Sequence, residues 1–223
     1  MQLTEEEIKI RIAKRAAEEL SDGMVVNLGV GIPTLVANYV AGKKVYLQTE
    51  NGILGVGPSP APEDVDPDLI NAGRVHVTTL PGSSFMDSAE AFAQIRGGHI
   101  HCTVIGGLQV SERGDLANWL VPGKDVLGVG GAMDLVVGVP KVIVATQHLT
   151  KSGEPKILPD CNLPLTAKGV TAMIITEYAV FHFDKTGMIL DEISSDTSIE
   201  DIKRMTPAHY SVSETLKIRE CSK

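Results

Sequence analysis

The residue whose type and setting best suit it for chemistry is Glu50. It follows KKVYLQT, a short run with the character of a β-strand, and it begins ENGILGVG, which supplies Asn51 and three glycines. Ligands of an open parallel sheet bind outside the carboxyl ends of its strands, and glycines there let the backbone bend sharply toward a ligand. The segment therefore predicts an accessible carboxylate nucleophile, although these residues alone also fit an ordinary surface glutamate that begins a loop.

Two further segments could contribute to a site. The glycine-rich segment from Gly128 to Ala132 precedes the apolar stretch AMDLVV, so its backbone N–H groups could bind a negatively charged oxygen at the start of a helix. A simple tight turn explains the same glycines. Arg74, the only cation in DLINAGR, could bind a carboxylate or a phosphate, although most exposed arginines are merely solvated.

The elements that must position these residues alternate between strands and helices. Thr4 followed by Glu7 is a capping box, and apolar residues at helical spacing then continue as far as Gly23, which predicts a first helix. Short apolar runs predict strands. These runs are MVVNLGV, KKVYLQT, RVHVTTL, HIHCTVI, KVIVATQ and AMIIT. Such alternation indicates an α/β fold with an open, mainly parallel sheet flanked by helices, in a single domain over residues 1–223.

The segments between and after these strands give further predictions. GIPTLVANYVAG is predicted as a turn and a helix, and SSFMDSAEAFAQIRGG as a helical segment. Residues 57–68, rich in Pro and Asp, are predicted to run over the surface near the sheet edge. AVFHF, DKTG and MILDEI predict a hairpin, and SIEDIKRM predicts a last helix followed by a polar tail.

The composition excludes several kinds of partner. A net charge of −8 and a pI near 5.2 disfavour nucleic acid and anionic membranes. The charged, amphipathic N-terminus has no apolar signal region, and no window approaches the roughly 20 apolar residues of a membrane span. Cys102, Cys161 and Cys221 are scattered and odd in number, which argues against a disulfide framework. These features predict a cytoplasmic enzyme that acts on small molecules.

Two other chemistries fit the sequence poorly. His99, His101 and Cys102 are close together, but neighbouring residues of a strand point to opposite faces, so no metal site is expected. A dinucleotide-dependent oxidoreductase would need the pattern G-x-G-x-x-G, which neither GVGIPT nor GVGGAMD completes. The sequence therefore predicts neither a metal nor a redox cofactor.

The segment QTENGILGVGP resembles the glutamate signature of the family I coenzyme A transferases. Members of that family usually have Ser before the glutamate, where this chain has Thr49, which keeps the hydroxyl. The resemblance continues in the family's order over nearly the whole chain. The segments that carry it are NLGVGIPTLVANY, DLINAGR, LPGSSF, IRGGHI, GDLANWLVPGK, GVGGAMDLVVG, KILPDCNLPLTAKGV and TEYAVFHFD.

The resemblance implies the B subunit of a 3-oxoacid CoA-transferase, with a fold shared with sugar-phosphate isomerases. It implies that Glu50 carries CoA covalently as a thioester, so that CoA is a substrate and no cofactor is needed. It also implies Gly131 as an oxyanion donor. Asn51, which follows Glu50, is expected to orient the loop or to bond the Glu50 carboxylate, although an Asn in a turn needs no function. Asn51, Gly130 and Arg74 are assigned to CoA binding. A partner A subunit is expected, in a heterodimer or heterotetramer.

The identity of the acid stays open at this stage. Acetate, butyrate, succinate and 3-oxoadipate could all exchange with an acyl-CoA such as acetoacetyl-CoA through one glutamate. A non-catalytic subunit that uses the same fold to hold a phosphorylated ligand is the alternative. Such a subunit would not need Glu50, so replacing Glu50 by Gln separates the two hypotheses.

Overall fold

The computed structural model describes residues 3–123 and 128–220. Two residues named above lie outside these ranges. They are Cys221 and Lys124, of which Lys124 ends the segment GDLANWLVPGK. The described chain forms four α-helices, two short 3₁₀ helices and thirteen strands. The α-helices are α1 (Glu5–Glu18), α2 (Ser88–Arg96), α3 (Ala132–Val137) and α4 (Ile199–Met205). The 3₁₀ helices span Ile32–Tyr39 and Pro62–Asp64.

The strands form one large sheet and one small sheet. They are β1 (Val25–Leu28), β2 (Tyr46–Thr49), β3 (Ile53–Val56), β4 (Thr79–Phe85), β5 (Cys102–Ile105), β6 (Gln109–Ser111), β7 (Leu116–Ala117), β8 (Val142–Ala145), β9 (Ile157–Leu158), β10 (Met173–Ile175), β11 (Ala179–Asp184), β12 (Gly187–Ser194) and β13 (Ser211–Arg219). The large sheet has ten strands in the order β13-β12-β11-β10-β8-β5-β1-β2-β3-β4, and the small one has the order β7-β6-β9.

The centre of the large sheet is parallel, as the sequence predicts. Strands β10, β8, β5, β1 and β2 pair in parallel, so that their carboxyl ends share one edge. Antiparallel pairs extend the sheet on both sides, through β11 and β12 on one side and β3 and β4 on the other. Parallel strands need both faces covered, which explains their almost unbroken burial.

Each face of the parallel centre packs against a different layer. On one face, Ile12 and Ala16 of α1 pack with Val26, Val104 and Ile143. On the other face, α2 and α3 pack around Ile95 and Leu135, and the small sheet packs with the strands farther along. The parallel strands therefore lie between two layers. One face of the sheet is covered by α1 and the first 3₁₀ helix, and the other face by α2 and α3.

The local signals in the sequence account for the ends of the helices. Thr4 Oγ1 accepts the N–H of Glu7, and the Glu7 carboxylate accepts the N–H of Thr4, which confirms the predicted capping box. Ser198 and Asp201 form the same arrangement at the start of α4. No helix within the described ranges has both the length and the apolar character that crossing a membrane would require.

Two predictions of local structure were wrong. RVHVTTL is not a strand before Thr79; His76 forms only an isolated bridge with Ile70. Arg74 lies in a left-handed turn with φ of 62° and Asn71 Oδ1 accepts the N–H of Val75, so side-chain hydrogen bonds replace a ladder there. Residues 211–219 of the predicted polar tail form β13. The helix predicted in GIPTLVANYVAG is confirmed and is of the 3₁₀ type.

Candidate active site

Glu50 occupies the turn between β2 and the antiparallel β3, at the carboxyl edge of the parallel strands. The turn is tight, because the N–H of Gly52 donates to Thr49 O at 3.0 Å. Gly52 has φ of 116°, and a Cβ atom there would lie 2.0 Å from Met86 O. Only glycine fits both the conformation and the space. The turn thus holds Glu50 half-buried at the rim that the sequence predicts.

The Glu50 carboxylate accepts a hydrogen bond from a residue of the neighbouring strand. Asn27 Nδ2, in β1, lies 3.2 Å from Glu50 Oε2. Asn27 is fully buried, and the same nitrogen also donates to Gln48 Oε1 at 2.8 Å. Gln48 Nε2 in turn points to Ala91 O of α2 at 3.4 Å. A chain of side-chain amides therefore links the helix above the sheet to one oxygen of the carboxylate.

Gly131 lies beside Glu50, although the two residues are far apart in the sequence. A Cβ atom added to Gly131 would lie 3.7 Å from Glu50 Cγ and 2.7 Å from Phe92 Cζ. Gly131 directly precedes α3 and has φ of −83°, and its N–H has no hydrogen-bond acceptor within the described segments. The predicted neighbourhood of a carboxylate and a glycine backbone is therefore present, and a side chain at position 131 would displace the Phe92 ring.

The other predicted site residues have different surroundings. Asn51 Nδ2 donates to Ile70 O at 2.8 Å, which ties the Glu50 turn to the excursion that follows β3. Gly130 has φ of 55° in the turn before α3. Arg74 is exposed at the tip of the turn between Asn71 and Val75. The assignment of Asn51, Gly130 and Arg74 to CoA binding stays a prediction.

A cleft of about 400 Å³ opens next to the Glu50 segment. Gln48 and Thr49, the two residues before Glu50, line it, together with Gly73 and Val75 on either side of Arg74. Apolar side chains contribute most of the remaining wall, namely Leu28, Val30, Leu35, Ala37, Leu47, Val56 and Val77. None of its described lining residues carries a charge. The cleft therefore suits a neutral and largely apolar group.

The histidine and cysteine cluster in the sequence has a structural explanation. His101 Nδ1 accepts the N–H of Val25 at 3.0 Å, and Cys102 is buried between strands, where burial raises the pKa of its thiol to about 12. Over residues 3–123 and 128–220, no three His, Cys, Asp or Glu side chains are arranged to hold a metal ion.

A second polar cluster lies at the same edge of the sheet, after β8 and β10. His148 is fully buried between Thr176 Oγ1, 3.0 Å from its Nδ1, and Thr206 Oγ1, 2.8 Å from its Nε2. Burial lowers the pKa of His148 to about 4. Glu177 Oε2 accepts the backbone N–H of His148 at 3.0 Å, and burial raises the pKa of the Glu177 carboxyl. This cluster joins strand ends and lies outside the Glu50 site.

The sequence analysis did not identify Asn27, Gln48 or Phe92. Asn27 is the one polar residue in the run MVVNLGV, whereas Gln48 is one of several polar residues in KKVYLQT and lies near the end of its strand. A polar residue within a strand that is buried on both faces must find a partner, so its presence in such a run is a usable signal. Its partner follows only from the register, which sets Asn27 opposite Gln48.

Comparison with known proteins adds a family and relatives. The family profile described as Coenzyme A transferase matches residues 9–204. The chain is 52% identical over 201 residues to the B subunit of the succinyl-CoA:3-ketoacid coenzyme A transferase of Helicobacter pylori, covering 90% of this chain and 97% of the relative. It is 51% identical over 209 residues to the beta chain of the acetate CoA-transferase of Escherichia coli K12, covering 93% and 95%.

A solved structure shares the fold. The acyl-CoA transferase of Escherichia coli O157:H7, in a thioester complex with CoA, superposes with a TM-score of 0.78 at 22% identity. The match covers 98% of this chain but only 44% of that longer chain. The predicted α/β architecture is confirmed by this likeness and by the parallel centre of the sheet.

Proposed function

Because this chain belongs to the coenzyme A transferase family, a family of enzymes, we propose that it is a glutamate-bearing B subunit that carries CoA on Glu50. One observation carries the proposal. Glu50 is half-buried at the carboxyl edge of the sheet, with the Asn27 amide on one carboxylate oxygen and the Gly131 backbone beside its side chain. A carboxylate held in this way is oriented for attack on a bound thioester.

The proposed exchange consists of acyl transfers only. The Glu50 carboxylate attacks the carbonyl carbon of an acyl-CoA, which gives a mixed anhydride and releases the CoA thiolate. The thiolate then attacks the glutamyl carbonyl carbon, the donor carboxylate leaves, and Glu50 becomes a CoA thioester. An acceptor carboxylate repeats these steps in reverse, so the kinetics are ping-pong. No electron pair is gained or lost overall, so the scheme requires no redox cofactor.

Two groups of this chain can stabilise the charge that develops. Attack on the glutamyl carbon turns one of the oxygens of Glu50 itself into an oxyanion, and Asn27 Nδ2 already lies 3.2 Å from Oε2. The N–H of Gly131 is the candidate for a second donor to an oxyanion at this position. Preorganised donors of this kind often supply the largest single contribution to catalysis of acyl transfer.

The cleft and Arg74 fit the remainder of CoA. The pantetheine arm of CoA is neutral and elongated, and the cleft beside Gln48 and Thr49 has an uncharged, mostly apolar described lining. Arg74 lies between two lining residues, Gly73 and Val75, where its guanidinium could meet a phosphate of CoA or the second carboxylate of a dicarboxylic acid. Asn51 and Gly130 would contribute by holding the two turns that border Glu50 and Gly131.

The names of the relatives support the partner and the class of substrate. Both bacterial relatives are named as one of the subunits of a CoA-transferase, so an A subunit is the proposed partner, in a heterodimer or heterotetramer. One name refers to succinyl-CoA and a 3-ketoacid and the other to acetate. We therefore propose exchange between an acyl-CoA such as acetoacetyl-CoA and a small acid such as succinate, acetate or butyrate, in the cytoplasm.

Peptide mass mapping tests the proposal directly. The assembled enzyme, mixed with acyl-CoA in the absence of an acceptor acid, is expected to carry one CoA thioester on the peptide that contains Glu50. Glu50→Gln should abolish both the adduct and turnover. Glu50→Asp should lose on the order of 10²-fold or more, since it withdraws the nucleophile by about 1 Å. An adduct on another residue would remove Glu50 as the nucleophile, and full activity of Glu50→Gln would favour the non-catalytic binding role instead.

A further inference from the structure

A row of three buried polar side chains crosses the parallel strands behind Glu50. The register places Gln48 of β2 opposite Asn27 of β1, and Asn27 opposite Thr103 of β5. Residues paired in register point to the same face of a sheet. This face is the one covered by α2, since Gln48 Nε2 points to Ala91 O. Gln48, Asn27 and Thr103 are each at most 1% exposed.

The row contains two buried polar atoms that lack hydrogen-bond partners, one on Asn27 and one on Thr103. Asn27 Nδ2 has acceptors at Gln48 and Glu50, but Asn27 Oδ1 is buried with no hydrogen-bond partner in the described chain. Thr103 Oγ1, on the next strand, is also buried and has no partner among those residues. One atom is an acceptor and the other a donor, on strands about 4.8 Å apart. Buried polar atoms are rarely unpaired, so the two atoms complement each other.

Packing alone does not explain a hydroxyl at position 103. Thr103 is the only hydroxyl-bearing residue of β5. Its neighbours in that strand are buried residues of apolar character, namely Cys102, Val104 and Ile105, and its partner on β8 is Val142. Valine has the shape of threonine and would avoid the cost of burying a hydroxyl. In this part of the row, Asn27 is the polar neighbour of Thr103 across the ladder.

We propose that Thr103 is a positioning residue, whose hydroxyl donates through one bridging water to Asn27 Oδ1 and so keeps the amide nitrogen turned toward Glu50. This inference rests on the proposed function of Glu50. An Asn side chain rotated by half a turn has the same shape, and the rotated amide would present an acceptor to the glutamyl oxyanion. Gln48 Oε1 holds the amide nitrogen at 2.8 Å, and the Thr103 hydroxyl would hold the amide oxygen on the opposite side. The two anchors together would keep the amide in place when Glu50 loses its charge as a thioester.

The test uses the assembled enzyme, in which the rate of thioester formation on Glu50 is measured in a single turnover. Thr103→Val should slow this step by roughly 10-fold, because it loosens the Asn27 amide without removing it, whereas a full 1 Å misplacement costs ~10²-fold. The KM for the acyl-CoA should stay unchanged. Thr103→Ser, which keeps the hydroxyl, should restore the rate. Thr171→Val is the matched control, because Thr171 also has a buried hydroxyl without a partner in the described ranges but lies outside the row.

A second background separates a positioning role from a general loss of stability. If Thr103 acts through Asn27, Thr103→Val should cost nothing further in an Asn27→Ala enzyme. A wild-type rate in Thr103→Val, an equal loss in Thr171→Val, or a fully additive loss in the double variant would each overturn the inference. If the wild-type enzyme forms no thioester on Glu50, the proposed function itself fails, and the role of Thr103 fails with it.

Discussion

Asn27 Nδ2 lies 3.2 Å from Glu50 Oε2, so an amide from the middle of β1 contacts the carboxylate that follows β2. The contact crosses a parallel pair of strands in which Asn27 faces Gln48, two residues before Glu50. Side chains two residues apart on a strand share a face, which is why one amide reaches both Gln48 and Glu50. The sheet therefore contributes a fixed donor to its own nucleophile.

Replacing Asn27 should affect turnover more than substrate binding. Asn27→Ala removes a donor to the glutamyl oxyanion, and the loss of one such donor costs about 10²–10³-fold in kcat. Asn27→Asp should be worse, because it places a second carboxylate against Glu50 Oε2 with nearly the same shape. Steady-state kinetics of the assembled enzyme with acetoacetyl-CoA measure both. A lower kcat for Asn27→Ala than for Asn27→Asp would contradict a role as a hydrogen-bond donor.

Variants of Gly131 should separate the role of its N–H from the role of its missing side chain. Gly131→Ala forces the Phe92 ring to move, since the added Cβ would lie 2.7 Å from Phe92 Cζ. In a Phe92→Ala background that space is free, and Gly131→Ala should then keep most of the turnover of that background because the N–H remains. Gly131→Pro in the same background removes the N–H and should lose about 10²–10³-fold in kcat.

The φ of −83° at Gly131 is compatible with proline, so Gly131→Pro is expected to fold. Thermal unfolding of each variant, monitored by circular dichroism, serves as the control for folding. Equal turnover of the Ala and Pro variants in the Phe92→Ala background would exclude the Gly131 N–H as an oxyanion donor.

Arg74 offers a substitution whose effects on stability and activity should have opposite signs. Its φ of 62° is costly for a residue with a side chain, so Arg74→Gly should leave the free energy of unfolding unchanged or raise it. The same change removes the cation. If Arg74 binds the second carboxylate of succinate, activity with succinate should fall by about 1.5–3 kcal/mol in kcat/KM more than activity with acetate. Equal losses with both acids would instead indicate a contact with CoA.

The sequence pattern marked Glu50 and the glycine-rich segment of Gly131 as candidates, the family resemblance implied Gly131 as an oxyanion donor, and neither predicted Asn27. The first two lie in glycine-rich turns, and glycines mark turns whatever the rest of the fold does. Asn27 is 23 residues before Glu50, and the two meet only through the register of β1 with β2. Register depends on side-chain packing across the whole sheet, so a single segment does not contain it.

The wrong strand predictions have a similar physical origin. Val75 and Val77 in RVHVTTL suggested a strand, but Asn71 Oδ1 accepts the N–H groups of Gly73 and Val75 and closes a turn instead. β13 was predicted as a polar tail because it is an edge strand with mostly polar, largely exposed residues, and the alternation of Val212, Leu216 and Ile218 within it was overlooked. Local side-chain hydrogen bonds and edge positions are both poorly visible in a hydrophobic pattern.

Buried His148 should make the stability of the fold depend on pH. Its pKa of about 4 in the folded chain lies below the ordinary 6.5, so between these values the unfolded chain binds a proton that the folded chain does not. Stability is therefore fully present above pH 6.5 and falls as the pH drops toward 4, by about 3 kcal/mol in total. His148→Gln should remove this part of the pH dependence in urea unfolding at pH 7 and pH 4.5. An unchanged difference between the two pH values would show that other groups determine it.

The surface around the site leads to the last prediction, that this chain alone lacks transferase turnover and gains it with an A subunit. Val30 and Val75, at the mouth of the cleft, are 66% and 45% exposed, and Phe85, which pairs with Ile53 beside the Glu50 turn, is 63% exposed. Apolar side chains grouped around a site are typical of a surface that another protein covers. The net charge of −8 also repels CoA, a polyanion, unless a partner contributes cations.

Purified chain, shown by mass spectrometry to contain no second polypeptide, should therefore show no turnover of acetoacetyl-CoA with succinate, acetate or butyrate, and adding the A subunit should restore it. Robust turnover by the chain alone would remove the two-subunit assignment while leaving the chemistry proposed for Glu50 in place.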